Sequence, residues 1–167
     1  MKVVISDTNV FIDLLNAKLL ETFLYLPIAV HTTNFVINEL KDEQAEVINQ
    51  KAKENKIIII EANDIEYGEI VEQVKEKETL SLVDHSVYYY AKKLRATILT
   101  GDKAFRSYVE EQKIEVRGIL WIFDEISDKK LLGEQELNAK LKSLMETNKR
   151  LPIAECNKRL EIWEKAK

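Results

Sequence analysis

The chain has a single cysteine, Cys156, so no disulfide framework can hold it together. A lone Cys fits a reducing compartment and a structural thiol. Histidine is nearly as scarce, with only His31 and His85. Without a set of His and Cys ligands, a zinc site is disfavoured. No apolar run approaches the ~20 residues that a membrane-spanning helix needs. The apolar start, MKVVISDTNVF, is broken by Asp7 and Asn9 and lacks a signal-peptide h-region and cleavage site. A cytoplasmic location is therefore expected. A basic surplus is missing too, since 25 Lys and Arg face 29 Asp and Glu, a net charge of −4. That excludes a strongly basic, non-specific nucleic-acid binder. It leaves room for an enzyme whose clustered acids hold metal ions while a basic rim lies elsewhere. Internal repeats and low-complexity tracts are absent as well.

What is present is an ordinary globular composition, 46% apolar and 32% charged over 167 residues. This length suits one domain, or one domain with a small helical appendage. Four short apolar, β-branched runs read as strands: KVVIS (2–6), PIAVHTT (27–33), IIII (57–60) and ATILT (96–100). IEVRG (114–118) reads as a short last strand. Between them lie segments of helical period: 9–26, 34–56, 64–78, 81–95 and 102–113. Thr8 or Asn9, and Thr33 or Asn34, are candidate caps for the first two. Strands that alternate with helices and stay apolar throughout point to a parallel sheet covered on both faces. The expected class is therefore α/β, in three α/β/α layers. After Gly118 the pattern changes to three helices without a strand, with Pro152 fitting the first turn of the last. Residues 1–118 are expected to form the sheet domain. Residues 119–167 are expected to pack on it as a helical extension, not as an independent domain.

Ligands of open parallel sheets bind beyond the carboxyl ends of the strands, where strand order reverses. Asp7 directly follows the first strand, and Asp102 follows ATILT across Gly101, which would supply a tight turn. Glu39 lies early in the helix after the second strand, and Asp84 opens the helix before ATILT. Each has a structural role open to it. Asp102 can cap the helix that begins at Lys103, and SLVD (81–84) matches a capping box. Asp7 is harder to explain that way, because an acid ending a buried strand is costly unless paired or bound to metal. Four acids on one rim would repel one another unless protons or a divalent cation neutralised them. Oxygen ligands alone suit Mg²⁺ or Mn²⁺. The reaction that such a site serves most directly is attack of water on a phosphodiester.

In this order, VVISDTNVFIDLL, NFVINEL, LSLVDHSVYYYAKKL and ATILTGDKAFR resemble the motifs of the PIN-domain ribonucleases. The D-T-N and T-G-D segments carry most of the likeness, which spans about Met1 to Gly118. The resemblance implies four or five parallel strands in the order 3-2-1-4-5 and metal-dependent cleavage of single-stranded or structured RNA. It implies Asp7, Glu39, Asp84 and Asp102 as catalytic and metal-binding acids, with Asn9 and Thr100 supporting them. Asp7, Asp84 and Asp102 would hold one Mg²⁺ or Mn²⁺, and Glu39 would act through water or hold a second ion. Lys103 and Arg106 are candidates for the RNA backbone, and Lys92, Lys93 and Arg95 for an extension of that rim. Small prokaryotic members similar to VapC toxins further imply an antitoxin protein as partner and a homodimer.

Other residues are expected to play structural parts. Asp13 reads as a surface acid, His31 as a satisfied polar residue, and Trp121 and Trp163 as core or interface anchors. His85, one position past Asp84, points about 100° away from it. Of Tyr88, Tyr89 and Tyr90, at most two could stack on a base. A haloacid-dehalogenase-type phosphatase needs a second Asp where Asn9 stands. A receiver domain needs an acid pair after the first strand, which is absent. A non-catalytic PIN-like module, binding RNA or serving as a scaffold, is the alternative from a different class.

Overall fold

Five short runs become five parallel strands. The computed structural model describes residues 1–166. In chain order the elements are β1 (Lys2–Ser6), α1 (Thr8–Asn16), α2 (Leu20–Phe23), β2 (Ile28–Thr33), α3 (Asn34–Glu39), α4 (Asp42–Lys53) and β3 (Ile57–Ile60). There follow α5 (Asp64–Glu76), α6 (Leu82–Leu94), β4 (Thr97–Leu99), α7 (Lys103–Glu111) and β5 (Val116–Arg117). The chain then continues as α8 (Ile119–Asp128), α9 (Glu134–Thr147) and α10 (Ile153–Lys165). The strand order is β3-β2-β1-β4-β5, all parallel, as expected. The order runs one way from β1 to β3 and the other way through β4 and β5. Right-handed crossovers then put α1 and α2 on one face and α5–α7 on the other, while α3, at the carboxyl end of β2, touches α6. The reversal falls between β1 and β4, which pair with Ser6 opposite Leu99.

Two segments expected as single helices are each broken in two. After α1, Lys18 takes a left-handed φ of 53° and Leu19 N–H closes back on the Leu14 carbonyl at 2.8 Å. This ends the helix without a glycine and lets Leu19, Leu20 and Phe23 turn into the core. After α3, Leu40 is extended and buried, and α4 restarts with Lys41 N–H donating to Gln44 Oε1 at 3.0 Å. In both places burial of a leucine overrides helical propensity. Pro152 stands just before α10, at its cap, instead of inside its first turn.

The C-terminal helices share the core of the sheet layer. Phe123, Ile126, Leu137, Leu141 and Trp163 belong to the same buried cluster as Phe11 and Phe23. Trp163 lies beside Phe123, their ring centroids 6.0 Å apart, while Trp121 is half-buried with Lys2 Nζ 5.2 Å from its ring centroid. Arg159 of α10 grips Asp124 of α8 with Nε on Oδ1 at 2.7 Å and Nη2 on Oδ2 at 2.6 Å. Lys140 of α9 donates to the carbonyls of Ala17 and Lys18, just past the end of α1. Cys156 is buried and unpaired.

Asp13 is not the surface acid expected. It is 6% exposed, and Asn148 Nδ2 donates to both its oxygens at 3.1 and 3.0 Å. The helical tail covers the face of α1 that would otherwise meet water. Burial pushes its carboxyl up from 3.8 to about 6, against the pull of Asn148 and the charge of Arg150. Folding therefore takes up a proton between these values, so the contribution of Asp13 to stability falls as pH rises through the window. Urea unfolding of wild type and Asp13→Asn should show a stability difference that turns against the wild type between pH 3.8 and about 6 and then levels off. A pH-independent difference would contradict this account of the site.

Candidate active site

The end of β1 meets the end of β4 through one hydroxyl. Asp7 N–H donates to the Leu99 carbonyl at 2.9 Å, continuing the sheet for one more residue. Its side chain is 4% exposed. Oδ1 accepts from Thr8 N–H at 2.8 Å, which makes Asp7, not Thr8 or Asn9, the cap of α1. Oδ2 accepts from Thr100 Oγ1 at 2.8 Å, and the same Oγ1 accepts from Asp102 N–H at 3.1 Å. Asn9 Oδ1 accepts from Gly101 N–H at 2.9 Å, so Asn9 holds the T-G-D turn and forms no hydrogen bond with Asp7 among the described residues. Gly101 is not there for a left-handed backbone, since no glycine has positive φ. A Cβ there would meet Asn9 Oδ1 at an ordinary 3.5 Å.

The other acids stand on helix ends around this joint. Asp84 and Ser81 form the expected capping box, with both reciprocal bonds at 3.0 Å. Asp102 caps α7 through Oδ1, which accepts from Phe105 N–H at 2.7 Å. Glu39 is the last residue of α3 and exposed. These acids feel one another. The Asp7 carboxyl is pushed up to about 6, first by burial and further by the charges of Asp84 and Glu39, while the Thr8 and Thr100 bonds oppose the rise. Asp84 is raised above the ordinary carboxylate range by burial first, with Asp102 and Glu39 adding to it. No Lys or Arg figures among the leading influences on either.

The rim fits a hard divalent cation in its chemistry. All its donors are oxygens, and Asp84 Oδ1 and Asp102 Oδ2 carry no hydrogen bond among the described residues. Next to Asp7, the Thr8 hydroxyl is buried without a partner among the described residues, as is Asn34 Oδ1 at the start of α3. Among the described residues, however, no three His, Cys, Asp or Glu side chains stand together as a ready ligand set. The acids share a field without forming a closed cage.

Beneath the rim lies a layer of buried hydroxyls, of which only Thr33 had a role read from the sequence, as a candidate helix cap. Thr32 Oγ1 donates to the Ser6 carbonyl at 2.9 Å, and Thr33 Oγ1 meets Ser86 Oγ at 2.9 Å while capping α3. Together they tie β2 and α6 to the end of β1. Their only signal was a pair of threonines closing an apolar strand.

The basic candidates separate. Lys103 is exposed beside Asp102. Arg106 is partly committed, with Nη2 donating to the Thr100 carbonyl at 3.3 Å and Nη1 3.9 Å from Glu110. Lys92, Lys93 and Arg95 do not extend this rim, because they lie at the last turn and cap of α6, the end opposite Asp84. Lys93 is also paired with Glu66 at 2.7 Å. His85 is fully buried with Nε2 on the Lys77 carbonyl at 2.9 Å, so it does not face a substrate. His31 is half-buried, its Nδ1 3.4 Å from the Ala29 carbonyl. Tyr88 and Tyr90 are buried, and Tyr89 hydrogen-bonds Glu69.

A family profile described as a PIN domain matches residues 3–165. No curated protein matches the chain. Among solved structures, a domain of a functionally unknown protein from Methanocaldococcus jannaschii is similar at 21% identity. That match covers 71% of this chain and 91% of the other, with a TM-score of 0.49.

Replacing Thr100 tests the joint. Thr100→Val strands Asp7 Oδ2 and the Asp102 N–H, and should lower stability by about 1–3 kcal/mol in urea unfolding. Thr100→Ser should restore most of it. A Val variant as stable as wild type would show that the hydroxyl holds nothing.

Proposed function

The chain belongs to the PIN-domain family, and from that premise we propose that it is a metal-dependent endoribonuclease. PIN domains are generally nucleases and typically use divalent metals. The substrate proposed is single-stranded or structured RNA, and the ion Mg²⁺ or Mn²⁺. One observation carries the reading. Asp7 is a buried carboxyl at the strand reversal, raised by burial and by two acidic neighbours, with no basic side chain among the leading influences on it. An arrangement of this kind is stabilised when a cation joins it.

In this reading Asp7, Asp84 and Asp102 hold the ion, and Glu39 at the exposed mouth acts through water or with a second ion. A bound divalent ion would supply an acidified water and positive charge against the phosphate oxygens. The rest falls to the chain. Thr100 and Asn9 fix the two aspartates at the joint of β1 and β4. A rim carboxylate takes the proton of the attacking water. Lys103, exposed next to Asp102, draws in the RNA backbone, with Arg106 as a weaker contributor because it is tied to Thr100. The presence of all four acids favours catalysis over the non-catalytic module. The same reading extends to a toxin restrained by an antitoxin protein and acting as a homodimer in the cytoplasm. No described helix is long and apolar enough to cross a membrane.

Incubation with labelled RNA and Mn²⁺ tests this directly. Cleavage should appear with the metal, stop with EDTA, and fall at least about 100-fold in Asp7→Asn and in Asp102→Asn. RNA binding without cleavage would support the scaffold instead. Cleavage that survives both substitutions would overturn the site.

A further inference from the structure

At the far end of α6 and α7, away from the acids, the chain forms an open cleft of about 440 Å³. Lys92, Arg95, Lys113 and Glu115 line it, together with Tyr88 and Gln112. The two helices carry the acids at one end and the cleft at the other. Asp84 opens α6, and Arg95 closes it. Asp102 caps α7, and Gln112 and Lys113 follow its last turn. The 13 residues of α6 span about 20 Å, so the cleft and the acid rim are separate places.

The charges of the cleft are unequal. Its one acid, Glu115, is already engaged by Lys2 at 3.0 Å, by Arg117 at 2.9 Å and by the Thr97 hydroxyl at 2.6 Å. Lys92, Arg95 and Lys113 form no ion pair among the described residues, whereas neighbouring Lys93 is paired. The ammonium of Lys92 lies 5.5 Å from the Tyr88 ring centroid. Nor are the cations needed as helix caps. The last carbonyls of α6 accept from Arg95 and Ala96 N–H groups, and those of α7 from Lys113 and Ile114. Arg95 and Lys113 both take left-handed φ, 53° and 59°, where Gly or Asn is usual. Lys18 and Lys130 do the same elsewhere, so the backbone alone assigns nothing. What sets this place apart is that two such ends converge on one cavity and a third cation joins them.

We propose that this cleft is a phosphate-binding site for a nucleotide ligand, held by Lys92, Arg95 and Lys113 and distinct from the acid rim. The phosphates belong either to an RNA strand or to a free mononucleotide. The site needs no metal and does not depend on the nuclease reading.

Calorimetric titration of the full chain in EDTA tests it, with a single-stranded 12-mer RNA in one arm and UMP in the other. Arg95→Gly with Lys113→Gly removes both charges and keeps the left-handed turns. This double variant should bind the effective probe about tenfold more weakly or worse. With RNA, the slope of log Kd against log salt should also fall by roughly 0.7 for each phosphate that the variant no longer neutralises. Lys18→Gly makes the same change away from the cleft and should bind as wild type does. Asp7→Asn should also keep binding, which separates the cleft from the rim. UMP bound as tightly as RNA assigns a free nucleotide, and RNA bound alone assigns a strand. Absence of binding by either probe, binding unchanged in the double variant, or equal weakening by Lys18→Gly would overturn the proposal.

Discussion

The hydroxyl of Thr100 is the joint on which the candidate site depends. It donates to Asp7 at the end of β1 and accepts from the backbone of Asp102 beyond β4. These strands are neighbours only because the sheet reverses its order between them. One side chain thus converts a topological fact into a fixed relation between two carboxylates. Each carboxylate also starts a helix and accepts one of its first N–H groups. For Asp102, capping and a part in the site are therefore compatible uses of different oxygens. For Asp7, burial outweighs that support, and its carboxyl rises. The electrostatic cost of the rim is concentrated there.

Much of this was legible in the sequence because it follows from local rules. Apolar β-branched runs between helical segments pointed to the parallel sheet, and the Ser81–Asp84 spacing to a capping box that is present bond for bond. The likeness of D-T-N and T-G-D to a known family supplied the strand order. What escaped notice depended on distant partners. Asp13 looked like a surface acid because nothing near it announces Asn148, 135 residues later. The breaks at Lys18 and Leu40 escaped for a related reason: the buried leucines beside them are answered by the core, not by a local glycine or proline. The cations of α6 miss the rim because the helix carries them to the end opposite Asp84.

The tail belongs to the same logic of burial. It covers α1, the helix that Asp7 caps, and fastens it through Asp13 and the carbonyls of Ala17 and Lys18. The element that starts at the candidate site is thereby held at both ends. On the other face, α6 has Asp84 in its first turn and Lys92 and Arg95 at its far end.

The central claim is that the acids of the rim make a divalent-cation site. Binding of Mn²⁺ to wild type and to Asp7→Asn, followed by electron paramagnetic resonance of the free ion, tests it most directly. The account predicts saturable binding by the wild type that is lost or strongly weakened in the variant. No binding by the wild type, or equal affinity in the two proteins, would contradict it.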